Sequence, residues 1–207
     1  MNELFDELKG VYAHVVESFE TTLSVFAKAV DIRSREGDGH TVGLARITAR
    51  LCRSMAFDEH AERQARWGAI LHDIGTIFIP ENILLKTGSL STEEWEVIRT
   101  HPVRSFELLS SVHSLKDAMD IPHYHHEKWD GTGYPRGLKG REIPISARIF
   151  AVVDVWDALL SERPYREPWP EETILGHIGN LSGIQYDPEV VEQFLRLRGN
   201  SEFSRLT

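Results

Sequence analysis

Apolar positions recur at intervals of three or four residues along nearly the whole chain, the spacing of amphipathic helices. Leu4, Val11, Val15, Phe19, Leu23, Phe26 and Val30 predict a first helix over about 2–34. EGDGH, with two glycines and an aspartate, ends it in a turn. A second helix is expected over about 42–56. Asp58 is placed as the N-cap of a third, which should end at HDIG with Gly75 just past its terminus. IFIPENILLKTGSLS is a connection. Ser91 with Glu94 makes a capping box and starts a fourth helix, which His101-Pro102 interrupts or restarts. A helix over 115–128 leads into the loop WDGTGYPRGLKGREIP. Loops of that length inside compact domains are commonly functional or disordered. Pro144 suits the first position of the next helix, ISARIFAVVDVWDALL, which is apolar enough to be central. PEETILGHI and PEVVEQFLRL give two shorter terminal helices. No strand pattern persists, so the fold class is all-α.

Composition narrows the function classes. The 207 residues suit one domain with an added terminal segment. No run of about 18 apolar residues exists to span a membrane, and MNELFDELKG is unlike a signal peptide. The single cysteine, Cys52, excludes a disulfide framework and fits a reducing cytoplasm. A formal charge of −9 argues against nucleic-acid binding, because phosphate contacts dominate that affinity. A small anionic ligand remains compatible where cations converge.

The candidate chemistry lies in the histidines. Asp154 sits among apolar neighbours in AVVDVW, where an unpaired carboxylate is costly. His72 and Asp73 also follow an apolar run. With Glu36, His40, His101, His125 and His126 they make eight ligand-type residues, too many for one ordinary centre. Imidazole and carboxylate without thiolate suit iron, manganese, zinc or cobalt. Two such metals can clamp a phosphate and activate water. A helix splays adjacent side chains by about 100°, so His125 and His126 can act together only near a distorted helix end or around a wide cluster. Asp157, one turn after Asp154, could orient a ligand or accept from Arg163. His14, His60, His113 and His177 read as surface or packing residues, and His123 as a support or surface residue.

The stretches ILHDIG, IPENILLKTGSLSTEEW, HPVRS, HHEKWDGTGYPRGLKGREIPISARIFAVVDVWDALLSERPYR and YDPEVVEQF resemble the HD-GYP domains, a branch of the HD phosphohydrolase superfamily. The likeness covers roughly residues 20–197. It implies a helical bundle with added C-terminal helices and a long Gly-Tyr-Pro loop, in a domain over 35–207 preceded by a linker or packing helix over 1–34. It implies hydrolysis of cyclic di-GMP to the linear dinucleotide or GMP by water held between metals. His40, His72, Asp73 and Asp154 would be the superfamily ligands, with His72 and Asp73 at the heart of catalysis and Asp73 bridging. His101, His125 and His126 would hold a second metal and Glu36 a third. Two or three divalent ions are thus expected, iron first and manganese next. Arg163, Arg166 and Tyr134 would contact substrate. Thr76 stands where the family carries a lysine; it offers one hydrogen bond and no charge. The resemblance also implies an upstream sensory or receiver domain and allows a homodimer through the first helix. Two other readings stay open: a catalytically weak module that binds cyclic dinucleotides, and a phosphodiesterase for a mixed or linear dinucleotide.

Overall fold

The computed structural model describes residues 2–37, 39–161 and 167–199. Among the described residues ten α-helices follow one another: α1 (Asn2–Ser34), α2 (His40–Ser54), α3 (Glu59–Ile70), α4 (Glu81–Leu84), α5 (Thr92–Ile98), α6 (His101–Leu109), α7 (Asp120–Tyr124), α8 (Ile145–Leu160), α9 (Glu171–Asn180) and α10 (Pro188–Arg198). Tighter 3₁₀ turns occupy Ile74–Phe78, His113–Ala118 and Gly140–Glu142. Among the described residues no strand forms; a single bridge joins Ser182 to Tyr186. The all-α expectation holds.

The local chemistry explains most boundaries. Asp58 accepts from the Ala61 amide and caps α3. Ser91 and Glu94 form the reciprocal capping box of α5. Asp187 accepts from the Glu189 amide, with Pro188 in the first turn of α10. Helix α8 is the axis of the bundle. Its Phe150, Val152, Val153 and Trp156 are buried against Leu44 and Leu51 of α2, Ile174 and Ile178 of α9, and Val190 and Phe194 of α10.

Three boundaries differ from expectation. Helix α3 stops at Ile70, and Leu71 leaves helical geometry (φ −106°, ψ 7°), so His72 and Asp73 lie in a turn. Gly75 lies within the following 3₁₀ turn; a Cβ there would come 2.1 Å from the His101 carbonyl oxygen. The helix expected over 115–128 is a 3₁₀ turn followed by the five-residue α7. A continuous helix would have placed Pro122 in its interior, where it costs a hydrogen bond and clashes; starting at Asp120 puts Pro122 in the first turn, where no donor is needed. Pro144 is the residue before α8, one position earlier than expected.

Helix α1 carries two apolar faces. Phe19, Leu23, Ala27 and Val30 turn inward, with the Phe19 and Trp67 rings edge-to-face at 5.0 Å. Leu4, Leu8, Val11, Val15, Val25 and Ile32 are 57–74 % exposed.

Candidate metal centre

Three elements meet around the Asp73 carboxylate. The turn after α3 supplies His72 and Asp73, the start of α6 supplies His101, and the end of α7 supplies His125 and His126. One ligand atom each from Asp73, His101, His125 and His126 lie within 4.8 Å of one another. Asp73 Oδ1 is 3.2 Å from His101 Nε2 and 3.6 Å from His125 Nε2, and Asp73 Oδ2 is 3.5 Å from His72 Nε2. His125 caps α7, and its ring centroid is 4.0 Å from that of His126, so the two adjacent imidazoles converge at a helix end.

Each ring orientation has a local cause. Nδ1 of His72 meets the Ala69 carbonyl at 2.9 Å, Nδ1 of His101 the Ile98 carbonyl at 2.8 Å, and Nδ1 of His125 the Ile121 carbonyl at 2.9 Å. A carbonyl can only accept, so Nδ1 carries the proton in all three. In the neutral ring Nε2 is then a lone pair aimed at Asp73. Nε2 of His101 and Nε2 of His125 are 3.3 Å apart. Ring nitrogens and a carboxylate packed this closely must share a proton or a cation between them. Locking the far ring nitrogen to a carbonyl is the usual support of a metal-binding histidine. The Ser105 hydroxyl accepts from the Gly75 amide at 2.9 Å and so fastens the Asp73 turn to α6.

Protonation follows from burial and neighbours. Burial opposes charge on Asp73, yet His72, His101 and His125 hold its carboxyl well below the usual range. Burial also opposes charge on His72, but the Asp73 and Asp154 carboxylates outweigh it and raise the imidazole to about 9. Burial lowers His125 and His126, and neighbouring imidazoles lower His126 further. Asp73 is therefore ionised and His125 and His126 are held neutral, the donor states a divalent metal requires, whereas His72 would give up a proton on binding one.

The remaining candidates lie at the edges. His40, at the start of α2, has Nδ1 3.1 Å from Asp157 Oδ2 and Nε2 3.9 Å from Glu36 Oε2. Asp157 thus lies within hydrogen-bond reach of His40. Asp154, on α8, is half-buried and acts on the charge of His72, Tyr134 and Tyr186. The four-residue cluster around Asp73 does not include Glu36, His40, His72 or Asp154. Tyr134 stacks on His126 at 4.7 Å. The Thr76 hydroxyl donates to the Asp73 carbonyl at 2.7 Å, which uses its one proton within the turn. Arg163 and Arg166 lie outside the described residues.

Sequence reasoning missed three residues. Glu127 is buried and accepts from the Arg136 amide at 2.6 Å and the Leu138 amide at 3.0 Å, pinning the long loop. Its only signal was a carboxylate directly after the paired histidines. Phe150 lies beneath the site, 4.8 Å from the His72 ring and 5.9 Å from the His125 ring. Arg99 stands over Tyr134. Neither has a signature apart from the fold.

Comparisons with known proteins agree with this arrangement. A family model described as HD domain matches residues 24–190. A cyclic di-GMP phosphodiesterase of Thermotoga maritima is 44% identical over 177 residues, covering 84% of this chain and 48% of that protein. A 3′3′-cGAMP-specific phosphodiesterase of Vibrio cholerae is 39% identical over 171 residues, covering 82% of this chain and 33% of that protein. The chain thus spans half or less of the length of these curated relatives. The solved structure of a cyclic GMP-AMP specific phosphodiesterase from V. cholerae superposes with a TM-score of 0.69 at 21% identity, covering 88% of this chain and 49% of that one, and shares the fold. With its buried His-Asp turn, its paired histidines and its Gly-Tyr-Pro loop, the chain belongs to the HD domain family, in the HD-GYP branch.

Proposed function

We propose that this domain is a metal-dependent phosphodiesterase that opens cyclic di-GMP to the linear dinucleotide or GMP. The observation that carries the reading is the cluster of acceptor atoms around Asp73, with His101 Nε2 3.2 Å from its carboxylate and 3.3 Å from His125 Nε2. Asp73, His101, His125 and His126 would hold one metal, and His72, Asp73, His40 and Asp154 a second, with Asp73 shared. Glu36, at 3.9 Å from His40, stands at the edge for a third. Bound there, divalent ions would neutralise phosphate charge and activate water. Iron leads and manganese follows, on the likeness to HD-GYP domains; imidazole and carboxylate donors accept both. The chain's own part is to orient these donors through backbone carbonyls, to exclude water beneath them with Phe150, and to cover them with the Tyr134 loop. Arg163 and Arg166 would grip the anion, and Thr76 lies close enough to the Asp73 turn to tune that turn. The cytoplasm is the expected compartment.

A mixed cyclic dinucleotide is the second reading. The Vibrio relative is described as specific for 3′3′-cGAMP, and Thr76 removes a charge from the turn. With that charge gone, slow turnover would leave a binding module.

The test is hydrolysis of both dinucleotides by anaerobically purified protein loaded with Fe(II) or Mn(II), with metal per chain measured on the same sample. Turnover that disappears in His72→Ala/Asp73→Ala supports the enzyme. Full loading and tight nucleotide binding without turnover would refute it in favour of the binding module.

Helix α1 has a separate role in this proposal. Leu4, Leu8, Val11, Val15, Ser18, Thr22, Val25, Ala29 and Ile32 alternate at spacings of four and three, a heptad seam, and all are exposed. The flanking Phe5, Tyr12 and Phe26 are exposed as well. This face fits the same helix of a second copy, and a coiled-coil homodimer follows.

A further inference from the structure

Arg99 caps the C-terminal end of α5, two residues before His101. Its guanidinium carbon lies 5.5 Å from the centroid of the Tyr134 ring. Tyr134 stacks in turn on His126 at 4.7 Å, with planes 26° apart. A fixed positive charge is therefore one aromatic ring away from the metal cluster. Tyr134 is itself held, because its amide donates to the His126 carbonyl at 3.2 Å and Glu127 pins the chain just beyond it.

Arg99 is exposed and forms no ion pair among the described residues. The nearby Glu107 is taken by Arg104 at 2.9 Å. The geometry of the guanidinium matters here. A cation over a ring draws on the π-cloud and spends none of its N–H groups. The forked donors of Arg99, which make no hydrogen bond among the described residues, can then take two phosphate oxygens at once. In the Asp73 turn, Thr76 is buried with its hydroxyl spent on a backbone carbonyl, so that residue contributes no cation. In a chain of net charge −9, an anion reaching this site needs a local cation.

We infer that Arg99 is a substrate-positioning residue, which grips a phosphate of the cyclic dinucleotide through its N–H groups while the Tyr134 ring steadies the cation. The inference rests on the phosphodiesterase reading. It makes the Tyr134 loop a support for the cation as well as a cover over the metals.

The test compares wild type with Arg99→Ala and Arg99→Lys. KM and kcat are measured on cyclic di-GMP and on bis(4-nitrophenyl) phosphate, and the Kd of a non-hydrolysable phosphorothioate analogue of cyclic di-GMP is measured by calorimetry. Arg99→Ala should raise KM and Kd for the dinucleotides by about 10- to 100-fold, the scale of a lost charge-assisted contact. The change in kcat should stay within about threefold, a split that a merely structural role would not give. Arg99→Lys should recover part of the loss, since it keeps charge without the fork. The small diester should suffer a much smaller rise in KM. Unchanged KM and Kd in Arg99→Ala would overturn the inference, as would an equal fall of kcat on both substrates. If wild type binds the analogue but hydrolyses no cyclic di-GMP, the phosphodiesterase reading fails and the Kd comparison alone decides Arg99. If wild type binds no analogue at all, both fall.

Discussion

Gly75 and Gly43 show how one residue type carries opposite meanings. At Gly75 a methyl group would meet the His101 carbonyl at 2.1 Å, whereas at Gly43, inside α2, it meets nothing within 4 Å. Gly75→Ala should therefore destabilise by about 1–3 kcal/mol or more, and Gly43→Ala should stabilise by roughly 0.5–1 kcal/mol; urea melts of the two variants check both signs. Glu127 is a second case. Glu127→Ala leaves two loop amides without acceptors, at about 1–3 kcal/mol each, and should depress turnover by loosening Tyr134 as well as lowering Tm. His72 gives a pH dependence. Its folded pKa of about 9 exceeds the unfolded value of 6.5, so the protonated ring stabilises the metal-stripped protein fully below pH 6.5. That contribution is lost as pH rises through 9. Thermal melts in chelator should show Tm falling over this window, and the slope should be absent in His72→Asn. At this scale the sequence was legible where chemistry is rare, as at Asp73 amid apolar residues. It was silent at Phe150 and Arg99, whose meaning comes only from what lies across the fold.

At the level of elements, caps and periodicity located α1, α5, α9 and α10 well, because Ser91 with Glu94 signals locally and the apolar spacing of the others is regular. The failures were α3 and α7, where tertiary demands cut the helix short. His72 and Asp73 have to leave helical geometry to face His101, and Pro122 has to sit in a first turn. Helix α1 was read as one apolar stripe, yet it carries two, and only burial separates Leu23 from Val25. The outward stripe makes a clean prediction. Leu8→Lys/Val11→Lys should halve the mass seen by light scattering at tens of micromolar while moving Tm of the domain by no more than about 2 °C, since neither residue is buried. An unchanged mass would remove the coiled coil from the account.

Over the whole molecule, the proposed ligands come from residues 36 to 154, through α2, the turn after α3, α6, α7 and α8. Metal bound by all of them would cross-link elements far apart in sequence and would add its binding free energy to folding. Tm should rise on Mn(II) addition and fall in chelator, and the rise should shrink in His125→Ala. Phe150 has a consequence of a different kind. It is a core residue of the central helix and also the floor beneath His72 and His125. A substitution there would change packing and ring placement together, so selection on stability and selection on chemistry cannot act on it separately. Arg99, exposed on its helix end, carries no such double duty. Lineages of this domain should therefore diverge in substrate by drift at the rim, at Arg99, while the aromatic floor stays frozen in their common ancestor's form.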